Sequence, residues 1–183
     1  GIGSRLASLT HYSRFINDMS FSIKYSLGGL NDADFRAFNV IIHILSGLLL
    51  WGIVRRTLVL PRFGGRYQES APWLALTASV LWVTHPLQTE SVTYICQRYE
   101  SLMGFFYLLS FYCLVRGVSV VRGRWWYDGA IAVCFLGMGT KEVMVTAPLM
   151  MLFYDYVFVS GTWSRLLRER WKVHLGLMAS WAV

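Results

Sequence analysis

Residues 83–101, VTHPLQTESVTYICQRYES, lie between two apolar runs that each have the character of a membrane span. His85, Gln88, Glu90, Gln97, Arg98 and Glu100 crowd into sixteen residues of an otherwise oily chain. Ionisable groups at membrane depth are costly, so they need partners or a task. The fold must therefore gather this stretch at an interface or in a shared interior. His85-Pro86 closes the preceding run, because proline ends or kinks a helix and restricts the residue before it. A new helix is expected from near Leu87. On it Glu90, Tyr94 and Gln97 fall at i, i+4 and i+7, with Arg98 alongside. The result is a polar wall at one membrane surface.

Of the 183 residues, 55% are hydrophobic and only 15% are charged, the latter against roughly 25% in soluble domains. The chain is read as all-α: a polytopic transmembrane helical bundle of about five to six spans. The net charge of +7 does not point to nucleic acid. The basic residues sit in short loops between apolar runs, where the positive-inside bias puts them. Cys96, Cys113 and Cys134 show no metal-ligand spacing, and their odd number does not form a simple disulfide framework. Cys113 and Cys134 lie inside apolar runs and are read as packing residues. Neither a metal site nor a protein-bound cofactor is expected. The chain opens on Gly1 and closes on Trp181-Ala182-Val183 inside an apolar run. It reads as a piece of a longer polypeptide, truncated at both ends.

Residues 1–34 form the first expected unit, an outer loop carrying an amphipathic helix. Tyr12, Phe15, Ile16, Met19 and Ile23 recur at helical spacing, and Arg14, Asn17, Asp18 and Lys24 take the other side, as in a helix lying in the interface. Gly28-Gly29 ends it, and Asn31 to Asp34 offers caps for the next helix. Residues 35–183 form the bundle. The first span runs from about Phe35 to Val54 and holds Asn39 and His43 one turn apart on one face. Both either hydrogen-bond to neighbouring helices or line a cavity. The next spans are Ala71 to Thr84 and Ser101 to Val115. Trp125-Trp126-Tyr127 follows as an interfacial belt.

Lys141-Glu142 divides residues 129–154 into two charge-free runs of twelve. One long helix or a hairpin near Gly137-Met138-Gly139-Thr140 would fit. The hairpin puts the loops Arg55–Arg66, Arg116–Arg124 and Arg165–Lys172, with 11 of the 17 Lys and Arg, on one side, and the positive-inside rule selects it. Tyr127 to Gly139 is then one arm and Val143 to Phe158 the other, with a kink expected at Pro148. A last span is expected from near Val173. The amphipathic helix, the His85–Glu100 stretch and Thr140-Lys141-Glu142 then share the extracytoplasmic side.

An outer pocket with His85, Glu90, Arg98, Lys141 and Glu142 suits an anionic head group. Arg meets phosphate with a planar fork and Lys with a point charge. Carboxylates or His can accept a proton from an acceptor hydroxyl. Lys141-Glu142 and Glu90–Arg98 could instead be structural pairs joining helices, or the same charges could form the midplane site of a transporter or flippase for an amphiphilic anion. The residues alone leave these open.

Arg14-Phe15-Ile16, Asn39 with His43, His85-Pro86-Leu87-Gln88-Thr89-Glu90-Ser91-Val92, Gln97-Arg98-Tyr99-Glu100-Ser101-Leu102, Thr140-Lys141-Glu142 and Tyr154-Asp155 together resemble membrane O-mannosyltransferases. The likeness is to the membrane region of the transmembrane and tetratricopeptide-repeat proteins and their bacterial relatives. It covers nearly the whole chain, and Phe15 stands where the family pattern has Pro. The resemblance implies a type C glycosyltransferase: a multi-pass protein of the bacterial inner membrane or endoplasmic reticulum. Such an enzyme moves a sugar, here mannose, from a polyprenyl- or dolichyl-phosphate donor to Ser or Thr hydroxyls of a protein acceptor, with inversion, on the extracytoplasmic side. By matched position His85 and Glu90 take catalytic places. Arg98, Lys141, Glu142, Arg14, Asn39 and His43 form the donor-phosphate and pocket set, with Lys141 offsetting the phosphate charge. The resemblance also implies that the principal base and the repeat domain lie outside this chain. Its partners are then membrane lipid, the lipid-linked sugar and the protein acceptor.

Overall fold

A computed structural model describes residues 32–88, 98–120 and 123–182. All regular structure among these residues is helical. The helices are α1 (Asp32–Leu58), α2 (Ala71–Val83), α3 (Arg98–Ser119), α4 (Arg124–Met138), α5 (Thr146–Tyr154) and α6 (Trp163–Ala179). A 3-10 turn over Glu142–Val145 leads into α5, and a π-helical turn over Asp155–Ser160 follows it. The expected amphipathic helix before residue 31, and the segment around Glu90, lie outside the described residues.

Three stretches are long and apolar enough to cross a membrane: Arg36–Leu58, Glu100–Ser119 and Glu142–Ser160. Helix α1 is 27 residues long, about 40 Å at 1.5 Å per residue, against a hydrocarbon core of roughly 30 Å. Its last turn carries Arg55 and Arg56, which complement the negative end of the helix dipole. Helix α2 has 13 residues, about 20 Å, and is held along α1 rather than by its own length. Ala71, Ala75 and Ser79 are its buried residues, spaced by one turn so that small side chains face α1. Trp51 Nε1 donates to the Pro72 carbonyl at 3.2 Å, Ser79 Oγ to the Gly47 carbonyl at 2.6 Å, and His43 Nε2 meets the Val83 carbonyl at 3.0 Å. A Cβ on Gly47 would lie 2.5 Å from Val83 Cγ2, so the close approach requires glycine there.

The hairpin forms. Helix α4 ends at Met138, and Lys141 is in an extended conformation before the chain turns back. Pro148 sits in the first turn of α5, where its missing N–H takes no bond away. The expected kink is thus a 3-10 to α junction. The second break is the π turn, closed by Gly161 at φ 70°, a left-handed conformation that glycine adopts freely.

Helices α3 to α6 share a core of Cys113, Leu114, Ala130, Cys134, Met144, Ala147, Met151 and Leu177. Cys113 and Cys134 are buried free thiols within it, as packing residues should be. A second cluster of Ile53, Leu60, Val115 and Tyr154 ties α1 to α3 and α5, with Thr57 Oγ1 and Tyr154 OH bonded at 2.7 Å.

One expectation is corrected. Arg165–Lys172 is not a loop but the first half of α6, which starts at Trp163 rather than near Val173. Leu166, His174 and Leu177 are its buried residues, and Arg170 joins them on the inward face with its side chain only 12% exposed. The outward face carries Arg165, Arg168, Glu169 and Lys172, all exposed. The charge density hides an amphipathic helix with a period of 3.6.

Candidate functional site

Antiparallel packing gathers the start of α1, the end of α2, the start of α3 and the turn after α4 at one end of the bundle. This polar end holds most of the expected site. His43, half-buried on α1, stacks on Trp82 with ring centroids 5.2 Å apart and bonds to the Val83 carbonyl. Asn39, one turn earlier, is 2% exposed, and its Oδ1 meets no hydrogen-bond donor among the described residues. The two alternatives are met at His43 only; Asn39 is not among the residues that line the cavity there. His43 bonds to the neighbouring helix, and it also lines a cavity of about 50 Å³ with Ser46, Trp82, Glu100, Ser101 and Gly104.

Glu100, on the wall of this cavity, accepts from Lys141 Nζ at 2.5 Å. The side chains of Lys141 and Glu100 are 41% and 48% exposed. The extended backbone at Lys141 swings its side chain away from its own helix toward α3. Thr140 is held beneath by donating to the Gly137 carbonyl at 2.6 Å, which fixes the turn. An ion pair this exposed contributes roughly 0–1 kcal/mol, so an arriving anion can take the ammonium group at little cost.

His85 is exposed, and its Nδ1 accepts from the Leu87 N–H at 3.3 Å, a local turn contact. Glu142 is exposed at the start of the 3-10 turn and forms no ion pair among the described residues. Arg98 begins α3; its side chain, like Glu90 and Arg14 altogether, lies outside the described residues. Glu100 is the residue sequence reasoning quoted without assigning. Its signal is its place two residues after Arg98 on the first turn of α3, facing the only lysine of the α4–α5 connection.

One turn further along α1 and α3 lies an apolar groove of about 340 Å³, lined by Leu45, Leu48, Trp51, Phe105 and Leu109 among others. It shares no lining residue with the cavity at His43, and its far end reaches Arg56 and Tyr112.

A second polar cluster occupies the opposite end. Asp155, 1% exposed, accepts from Arg170 Nε at 2.9 Å, His174 Nε2 at 2.8 Å and Ser160 Oγ at 2.8 Å. Arg170 Nη2 also donates to Ser160 Oγ at 2.9 Å. Burial works against the Arg170 charge, yet its bond to Asp155 and the neighbouring acids leave it more basic than an ordinary arginine. Asp155 was visible in sequence only as part of the Tyr154-Asp155 resemblance. Arg170 and His174, at i and i+4 on α6, were the remaining signal.

A family profile described as dolichyl-phosphate-mannose-protein mannosyltransferase matches residues 19–183. The chain is 32% identical over 175 residues to protein O-mannosyl-transferase TMTC4 of Homo sapiens, covering 86% of this chain and 23% of that protein. It is 29% identical over 180 residues to protein O-mannosyl-transferase tmtc2 of Xenopus laevis, covering 90% of this chain and 20% of that one. With TMTC2 of Mus musculus it shares 28% over 146 residues, or 77% and 16% of the two chains. The chain therefore spans less than a quarter of the length of these relatives. No solved structure matches it. By the extent of the family match, this chain belongs to the dolichyl-phosphate-mannose-protein mannosyltransferase family.

Proposed function

We propose that this chain is part of the membrane domain of a type C glycosyltransferase that moves mannose from a polyprenyl- or dolichyl-phosphate donor to protein Ser or Thr hydroxyls. The family match and the names of the relatives support the reaction class. The observation that carries the reading at the level of residues is the exposed Lys141–Glu100 pair at the polar end of the bundle, with a separate, largely apolar groove between α1 and α3 further along the same two helices. A lipid-linked phosphosugar has that same division: an oily chain, then a phosphate, then a sugar.

In this reading the donor phosphate draws Lys141 from Glu100, and the prenyl chain runs along Leu45, Leu48 and Phe105. Arg98 adds a planar fork to the phosphate. The acceptor oxygen attacks the anomeric carbon, the bond to phosphate breaks, and the polyprenyl phosphate leaves with the electron pair. The hydroxyl proton goes to a carboxylate. Glu90 and His85 take that part in the pocket, while Arg14, Asn39, His43 and Glu142 complete the wall. The clustering of arginines at the opposite end of the bundle supports an extracytoplasmic position for this site.

One observation favours a second reading. The cavity behind Lys141 measures about 50 Å³, against the roughly 300–1,000 Å³ of small-molecule sites. Among the described residues alone, the ion pair could simply join two helices of a non-catalytic bundle. The two readings separate in a transfer assay with the full-length membrane protein, radiolabelled polyprenyl-phosphate mannose and a membrane-protein acceptor. The enzyme reading expects transfer that falls roughly 10²- to 10⁴-fold in Glu90→Gln, the range for loss of acid–base help, with membrane insertion unchanged. Full transfer by Glu90→Gln, or none by well-inserted parent protein across several lipid-linked sugars, would reject it.

A further inference from the structure

The end of the bundle opposite Lys141 contains a cleft of about 750 Å³. It opens between the end of α1 with its Pro61 turn, the end of α3, the π turn and the start of α6. Four arginines line it, Arg56, Arg62, Arg165 and Arg170, and among the described residues no acidic side chain does. The rest of the wall is largely apolar and includes Val118 and Phe158.

The charges are unequally satisfied. Arg170 is anchored to Asp155 beneath the cleft. Arg165 is paired with Glu169 on the outer face of α6 at 3.0 Å. Arg56 meets no acidic side chain among the described residues: it donates to the Gly52 carbonyl at 3.1 Å and lies over the Tyr112 ring at 4.8 Å. Arg62 meets no acidic side chain among the described residues. Once Asp155 and Glu169 are set against the four cations, two positive charges remain, both in the cleft. All three membrane-crossing stretches begin or end here, at Leu58, Ser119 and Ser160. The cleft therefore lies at head-group depth, where arginine stems and aromatic rings sit at the boundary of oil and water.

We propose that this cleft binds the phosphate of an anionic membrane glycerophospholipid, with Arg56 and Arg62 on the phosphate and the Val118–Phe158 wall against the first carbons of the acyl chains. Basic pockets between helices at one membrane face recognise lipid phosphates in this way, and planar guanidinium forks match the tetrahedral oxygens. The site is separate from the Lys141 end and does not depend on the transferase reading. A lipid bound here would clamp α1, α3 and α6 together through groups that otherwise repel.

The test uses the full-length protein purified in neutral detergent. Binding of dioleoyl phosphatidic acid is measured by native mass spectrometry and by the rise in melting temperature. Phosphatidylcholine and inorganic phosphate are run beside it, and Arg56→Gln/Arg62→Gln serves as the variant. Neither replaced residue touches Asp155, so the buried network stays intact. The expected result is preferential binding of phosphatidic acid, weakened about thirtyfold in the double variant, as loss of two surface charges requires. Arg62→Gln alone, at an exposed turn residue, should weaken it about fivefold. Equal binding of phosphatidylcholine, undiminished binding by both variants, or equal stabilisation by inorganic phosphate would each overturn the proposal.

Discussion

The two ends of this bundle treat charge in opposite ways. At the arginine end Asp155 is almost fully buried, and both of its oxygens are bonded, to Arg170, His174 and Ser160. At the polar end Glu100 and Lys141 meet in the open, each side chain nearly half exposed. A buried carboxylate in low dielectric is tolerable only when its partners are complete, and such a network rigidifies what it joins. An exposed pair fixes little and can be exchanged for another partner. The contrast separates architecture from a place where a substrate can act. Asp155 locks the π turn onto α6, whereas Lys141 stays available.

The contrast breaks first at Asp155. Asp155→Ala leaves Arg170 without its anchor and removes the acceptor of His174 and Ser160. The expected loss is about 3–5 kcal/mol, the usual result of deleting one partner of a buried pair. Thermal unfolding of the purified protein in detergent reads it. A variant as stable as the parent would mean that the network is decoration and that the two ends do not differ in kind. Next comes Gly47→Val, which drives side-chain atoms into Val83 at the end of α2. Overpacking of this kind costs about 1–3 kcal/mol, and here it also pushes the Val83 carbonyl from His43. Since α2 is too short to be held by its own span, its displacement should expose the Trp82 face. Quenching of tryptophan fluorescence by a water-soluble quencher should rise. Unchanged quenching would mean that α2 is fastened elsewhere.

The apolar lengths, the polar stretch and the break at Lys141 were readable in the sequence because each is a local pattern: a run, a cap, a change of charge. Asn39 and His43 were placed together by the helical period alone. The partner of Lys141 was not readable, because Glu100 lies forty-one residues away and only the packing of α3 beside the turn joins them. The adjacent Glu142 drew attention as the natural partner, but an extended backbone at Lys141 turns the lysine elsewhere. Helix α6 was missed for a different reason. Eight residues with five charges between Arg165 and Lys172 look like a solvated loop when counted, and like a helix only when Leu166, Arg170, His174 and Leu177 are placed on one face. The Asp155 cluster follows from that helix, so it was lost with it.

The smallest stability effect is expected at the polar end, and it sharpens the comparison most. Lys141→Ala, Glu100→Gln and the double variant form a cycle whose coupling in unfolding should be roughly 0–1 kcal/mol. If the pair were architectural, like Asp155 with Arg170, coupling would be several times larger and transfer would follow stability. If Lys141 serves a phosphate, stability hardly moves. Transfer of mannose then falls in Lys141→Ala, while Glu100→Gln, which frees the lysine, keeps much of it. The asymmetry is the informative part. A structural pair is symmetric in its loss, because either deletion breaks the same contact. A pair that a substrate displaces is not, because only one member meets the substrate. Equal losses of transfer in the two single variants, matched by equal losses of stability, would place the Lys141 end in the same class as the Asp155 end.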